Sequence, residues 1–117
     1  MTRAALMLAA ATAFATGAGA QNLPVANDYP TETRADYVFA CMAVNGQTRE
    51  ALGQCACSID VIASILPFTR YEEAETVLSV LQVGGERVSA MRNSPELKNA
   101  VADLRRAQAE AEIRCFQ

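Results

Sequence analysis

Four cysteines are the residues in this chain with the widest chemical reach: Cys41, Cys55, Cys57 and Cys115. Thiols can pair as disulfides, bind a soft metal, exchange electrons or act as nucleophiles. Three of them fall within CMAVNGQTREALGQCAC, and the fourth is third from the C-terminus. The chain has no histidine and no tryptophan. That removes Ser-His-Asp and Cys-His catalysis together with imidazole metal ligation.

The remaining options separate by spacing. Structural zinc sites place paired cysteines two to four residues apart on turns, whereas Cys55-Ala56-Cys57 lies in a helical pattern. A redox C-x-C pair lacks here the strand-loop-helix surroundings of a thioredoxin-type motif. Glu72, Glu73 and Glu75 with Asp60 could draw a hard cation, but no Asp/Asn/Gly loop gathers their oxygens. Carboxylates at a helix start are favoured by the helix dipole alone. Met42 and Met91, candidates for soft copper ligation, fit equally as core filler. Two disulfides are the reading expected of an exported chain.

The N-terminus supports export. Arg3 gives a positive start, Ala4 to Ala15 is apolar and uncharged, and Ala18-Gly19-Ala20 is an A-x-A cleavage site. Residues 1–20 therefore read as a signal peptide, with Gln21 as the mature start. The alternative, an uncleaved anchor, is disfavoured because the run is short for a span of about 20 residues. No cysteine follows the cleavage site, so no lipid anchor is expected, and no later stretch is apolar enough to cross a bilayer. A bacterial periplasm is the expected compartment.

Helical periodicity runs through the mature chain. Residues 21–32, with Pro24 and Pro30, read as an extended lead-in. A first helix is expected over Thr33–Asn45, capped by Thr31 or Thr33, with Tyr37, Cys41 and Val44 on one face. A second is expected over Thr48–Leu66, with a main stripe of Leu52, Cys55, Ile59, Ile62 and Leu66. Cys57, Val61 and Ile65 mark its second face, making it the central helix. A third spans Arg70–Gln82, opened by a Thr69/Glu72 capping box, with Tyr71, Ala74, Val77, Leu78 and Leu81 inward. A short piece, Glu86–Arg92, buries Val88 and Met91. The last helix starts at Ser94-Pro95 and runs to about Arg114, with Leu97, Val101, Leu104, Ala111 and Cys115 as its apolar line. No period-two strand pattern occurs. The expected fold is all-α, a small antiparallel array of four main helices stapled by two disulfides, within a single domain over residues 33–117.

The pairing follows from helix geometry. Residues two apart differ by about 200° around a helix, so Cys55 and Cys57 face opposite sides and resist bonding to each other. The turn at Gly46-Gln47 brings Cys41 level with Cys55. The preferred pairing is thus Cys41–Cys55 with Cys57–Cys115, over Cys41–Cys57 with Cys55–Cys115.

Charge is uneven. Residues 21–82 carry eight acids against three arginines (Arg34, Arg49 and Arg70), whereas residues 83–117 carry six cations against five acids. Such an acidic face can steer a basic partner. Basic residues interleaved with aromatics are missing, which argues against nucleic acid. Arg87, Arg92, Arg105 and Arg106 read as a solvated face, with a small docking patch as the alternative.

Finally, DYVFACMAVNGQTREAL, QCACSIDVIASILPF and AQAEAEIRCF resemble a family of small exported proteobacterial proteins. That family is associated with gene neighbourhoods for periplasmic alcohol or methanol oxidation by quinoprotein dehydrogenases. The resemblance covers about residues 36–116. It implies a periplasmic accessory role and supplies no catalytic residues or cofactor. The expected function is a non-enzymatic module that binds another exported protein. The alternatives are a metal-binding carrier or sensor and a thiol-disulfide redox protein.

Overall fold

The computed structural model describes residues 27–117. The expected signal peptide and the first part of the expected lead-in lie outside them. Five helices follow one another: α1 (Thr31–Asn45), α2 (Arg49–Ile65), α3 (Phe68–Val83), α4 (Glu86–Asn93) and α5 (Pro95–Cys115). There is no strand among the described residues.

The central helix is α2, packed between α1 and α5, while α3 packs on α5. Thr48 caps α2, its Oγ1 accepting from the Ala51 amide at 3.1 Å. Pro67 ends it by forcing Leu66 into extended backbone (φ −116°, ψ 120°). Because only Leu66 and Pro67 join α2 to α3, the chain bends sharply, and Leu66 is buried at the corner. Gly46 (φ 107°) closes the α1–α2 turn and Gly84 (φ 79°) and Gly85 (φ 112°) the α3–α4 turn, in backbone that favours glycine.

The core differs from the expected stripes at several points. Along α5 the buried line is Ala100, Leu104, Ala107 and Ala111. Leu97 and Val101 are rotated to a half-buried position. Three alanines on this line let α5 approach both α2 and α3 closely. In α3, Tyr71, Ala74 and Val77 are buried, while Leu78 and Leu81 are only partly so. Val44 extends the Tyr37–Cys41 face but ends in an open hollow, 86% exposed. Leu52 and Ile65 are also exposed. Val88 is buried as expected and Met91 half-buried.

The lead-in holds the largest departure. Residues 31 and 32 already belong to α1, two residues before the expected start, and no side chain caps the helix. Ahead of it, Tyr29 is only 3% exposed. Its hydroxyl donates to the Leu66 carbonyl at 2.9 Å. Its ring packs against Phe68 and Tyr71, at centroid distances of 5.4 and 5.0 Å. The neighbouring Asp28 carboxylate accepts from the Phe68 amide at 3.0 Å. That long-range contact caps α3 in place of the expected Thr69/Glu72 box. The reason is register: α3 begins at Phe68, so Thr69 already lies inside the first turn. Burial, followed by the Asp28 charge, pushes the Tyr29 phenol well above its usual range.

The disulfides are Cys41–Cys55 and Cys57–Cys115, each with Cα atoms 5.8 Å apart. They bind α1 and α5 to opposite sides of α2, as the 200° argument requires. No described cysteine is free.

Two outcomes follow for stability. Replacing both Cys57 and Cys115 by serine opens a span of 58 residues and is expected to cost about 2–4 kcal/mol. Thermal unfolding checks it, and an unchanged Tm would rule out that staple as a stabiliser. Tyr29→Phe leaves the Leu66 carbonyl without its donor and is expected to cost about 1 kcal/mol, measurable as a shifted urea midpoint at constant slope.

Candidate functional site

Helix α1 has no buried residue. It is held to α2 by three tethers along an antiparallel seam. Arg34 reaches Asp60 at 2.9 Å, the Tyr37 hydroxyl meets Ser58 Oγ at 2.8 Å, and Cys41 is bonded to Cys55. Positions 34, 37 and 41 step by three and four, so one stripe of α1 carries all three. A helix fixed in this way keeps both flanks available.

One flank looks across an open groove to α3. Glu32 and Asp36 stand on the α1 side, and Glu72, Glu75 and Thr76 on the α3 side, over Tyr71; the hollow has a volume of about 570 Å³. A second hollow of about 570 Å³ shares Asp36, Tyr71 and Glu75 and continues to Arg105, Glu112 and Phe116 on α5. Five carboxylates therefore line the combined groove against a single guanidinium, that of Arg105. Burial pushes the Glu75 carboxyl above its ordinary range; Arg105 opposes the rise and the Asp36 charge adds to it. The Tyr71 phenol is also held up, by burial first and then by the Glu75 charge, so it stays neutral.

The opposite flank of α1 is apolar. Ala35, Val38, Phe39 and Met42 with Ala56 and Ile59 of α2 border a shallow hollow of about 480 Å³. Phe39 is 75% exposed there.

The residues singled out from sequence are only partly brought together. Of the acidic set, Glu72 and Glu75 enter the groove. Glu73 turns to Arg70 at 2.5 Å, and Asp60, on α2, is held by Arg34 and lines neither hollow of the groove. Among the described residues no three metal-capable side chains converge. All four sulfurs are consumed by disulfides, so none is a thiolate in this state. Met42 lines the apolar hollow of α1, and Met91 a cleft beside α4. Arg105 bonds Gln108 at 3.2 Å. Arg106 pairs with Asp103, which also receives Arg70 at 3.1 Å. The last contact ties α3 to α5, and Asp103 foremost raises the Arg70 pKa. Arg92 has no carboxylate partner among the described residues.

The groove itself was not recognised in the sequence. Its trace was present, because Glu32 and Asp36 are four apart and Glu72, Glu75, Thr76 and Ser79 step by three, one and three. Each set marks one helix face. What spacing could not supply was that the two faces look at each other.

No single described helix is long and apolar enough to cross a membrane; α2 and α3 together have the length and composition but are bent by 112°. Comparison with protein-family models, curated proteins and solved structures finds no match.

The Glu75 environment carries a pH consequence. A carboxyl raised by folding favours the protonated native state, so its contribution is fully present in acid. That contribution is lost as pH rises through the folded value. Glu75→Gln is therefore expected to match the wild type near pH 4 and to be the more stable of the two at pH 7. Urea unfolding at both pH values checks it; a variant less stable at pH 7 would contradict the assignment.

Proposed function

We propose that this chain is an exported, non-enzymatic accessory protein that binds another exported protein through the acidic groove between α1 and α3. The observation that carries the reading is α1 itself. Three tethers hold it against α2, yet none of its residues is fully buried, Tyr37 and Val38 only partly packing on the core, and it sets Glu32 and Asp36 opposite Glu72 and Glu75. A helix with no fully buried residue offsets little of the cost of fixing it, since ordering each residue costs about 1–2 kcal/mol. A partner that covers α1 recovers that cost.

Charge defines the partner. Five carboxylates and one guanidinium attract a basic surface, raise the encounter rate and make the association sensitive to salt. The exposed Phe39 beside Met42 on the other flank offers an apolar anchor of the kind that dominates binding energy once covered. All four cysteines are bonded, so no thiol is free to act at either hollow, which supports a binding role over thiol chemistry. The resemblance to small exported proteins of quinoprotein neighbourhoods nominates a quinoprotein alcohol dehydrogenase, or the cytochrome that accepts its electrons, as the first partner to try.

The test is binding of a purified periplasmic quinoprotein dehydrogenase and its cytochrome to the oxidised chain at low and at about 0.5 M salt. At that ionic strength the screening length falls to roughly 4–5 Å. The expected result is association that weakens with salt and falls about tenfold or more in Asp36→Lys/Glu72→Lys, because two surface charges change sign. Thiol titration of protein purified without reductant separates this from the alternatives. No free thiol is expected, whereas four would favour a metal carrier.

A further inference from the structure

A cleft distinct from the groove lies between α3, α4 and α5, and it shares no lining residue with either side of α1. Val77 and Leu81 of α3, Met91 of α4, and Leu97 and Val101 of α5 form its walls. Its volume is about 280 Å³, just below the range of about 300–1,000 Å³ usual for small-molecule sites. Arg92 and Lys98 complete the lining, one from the end of α4 and one from the start of α5. Both are exposed.

These two cations are unlike most others in the chain. Arg34, Arg70, Arg106 and Arg114 each hold a carboxylate within salt-bridge distance. Arg105 faces the acidic groove. Arg92 and Lys98 have no such partner among the described residues, and they stand together at an apolar opening. The α5 stripe explains why the opening exists. Because the alanine line at 100, 107 and 111 packs inward, Leu97 and Val101 are turned out of the core and left half-buried, with Met91 across from them. Hydrophobic side chains that the core does not use thus meet two cations that no carboxylate neutralises.

We propose that this cleft binds a small amphipathic carboxylate, a short- to medium-chain fatty acid. Its alkyl tail lies between Leu81, Met91, Leu97 and Val101, and its carboxylate meets Arg92 and Lys98. The tail replaces water against apolar walls, and the head supplies the anion that both cations lack. A neutral molecule of the same length satisfies only the first requirement, and a hydrophilic anion only the second. The cavity is too small for a two-chain lipid, so the ligand is a free acid.

Calorimetric titration of the oxidised chain with hexanoate, octanoate and decanoate tests the proposal, with 1-octanol as the neutral control. Affinity is expected to rise about fourfold for each methylene buried, until the cleft is full. Arg92→Glu/Lys98→Glu is expected to weaken octanoate about tenfold or more while leaving 1-octanol unchanged. Both positions are exposed, so the variant keeps the wild-type Tm. Equal octanoate affinity in wild type and variant would overturn the assignment, as would affinity independent of chain length. Association with phosphatidylglycerol vesicles without binding of free octanoate would also overturn it, in favour of a membrane lipid.

Discussion

Placing two half-cystines two positions apart on one continuous helix constrains everything around them. Cys55 and Cys57 leave α2 in nearly opposite directions, so their partners have to arrive from different sides. That single fact makes α2 the middle layer, assigns α1 to one side and brings the end of α5 to the other. The apolar contacts then sort themselves accordingly. Ile59 and Ile62 of α2 meet the alanine line of α5, and the corner at Leu66 sets α3 against the same helix. On the α1 side there is no comparable burial. There the covalent bond, one ion pair and one hydroxyl contact supplement a thin apolar seam in which Tyr37 and Val38 are only partly buried. The two sides of α2 are thus held by different physics.

The difference shapes how the surface is used. A helix anchored through its core residues shows its neighbours only a polar back. A helix anchored by point tethers can show two faces of opposite character, acidic towards α3 and apolar towards solvent. The groove is also electrostatically uneven within itself. Glu75 sits deepest, shielded by protein and facing both Asp36 and Arg105, so its charge is the least comfortable of the set. A cationic group entering the groove relieves that discomfort first.

Much of this was legible in the sequence, and the failures have physical causes. Helix number, order and approximate limits follow from apolar periodicity and from Gly46, Pro67, Gly84-Gly85 and Ser94-Pro95. Angular spacing on α2 sets Cys55 and Cys57 against pairing with each other, and the register across the Gly46 turn favours the observed pairing. What sequence reasoning lost was tertiary. Asp28 and Tyr29 look like linker residues because the pattern around them is irregular, yet they close over a corner 37 residues away. The capping box at Thr69 gave way to a cap contributed from outside the helix. On α5, Leu104 and Ala111 of the expected stripe are buried, whereas close helix approach selects Ala100 and Ala107 over Leu97 and Val101. The acidic groove depends on two helices that are neighbours only through a third, and no local pattern encodes that.

The two covalent loops are consecutive along the chain. The first closes at Cys55 before the second opens at Cys57, so neither encloses nor threads the other. For a polypeptide delivered N-terminus first, the half-cystines become available in native order. Cys41, Cys55 and Cys57 are all present while Cys115 is still to come; the register of the hairpin directs Cys41 to Cys55, and that bond leaves Cys57 a sole remaining mate. Correct cross-linking then needs local geometry for the first bond and only the arrival of Cys115 for the second.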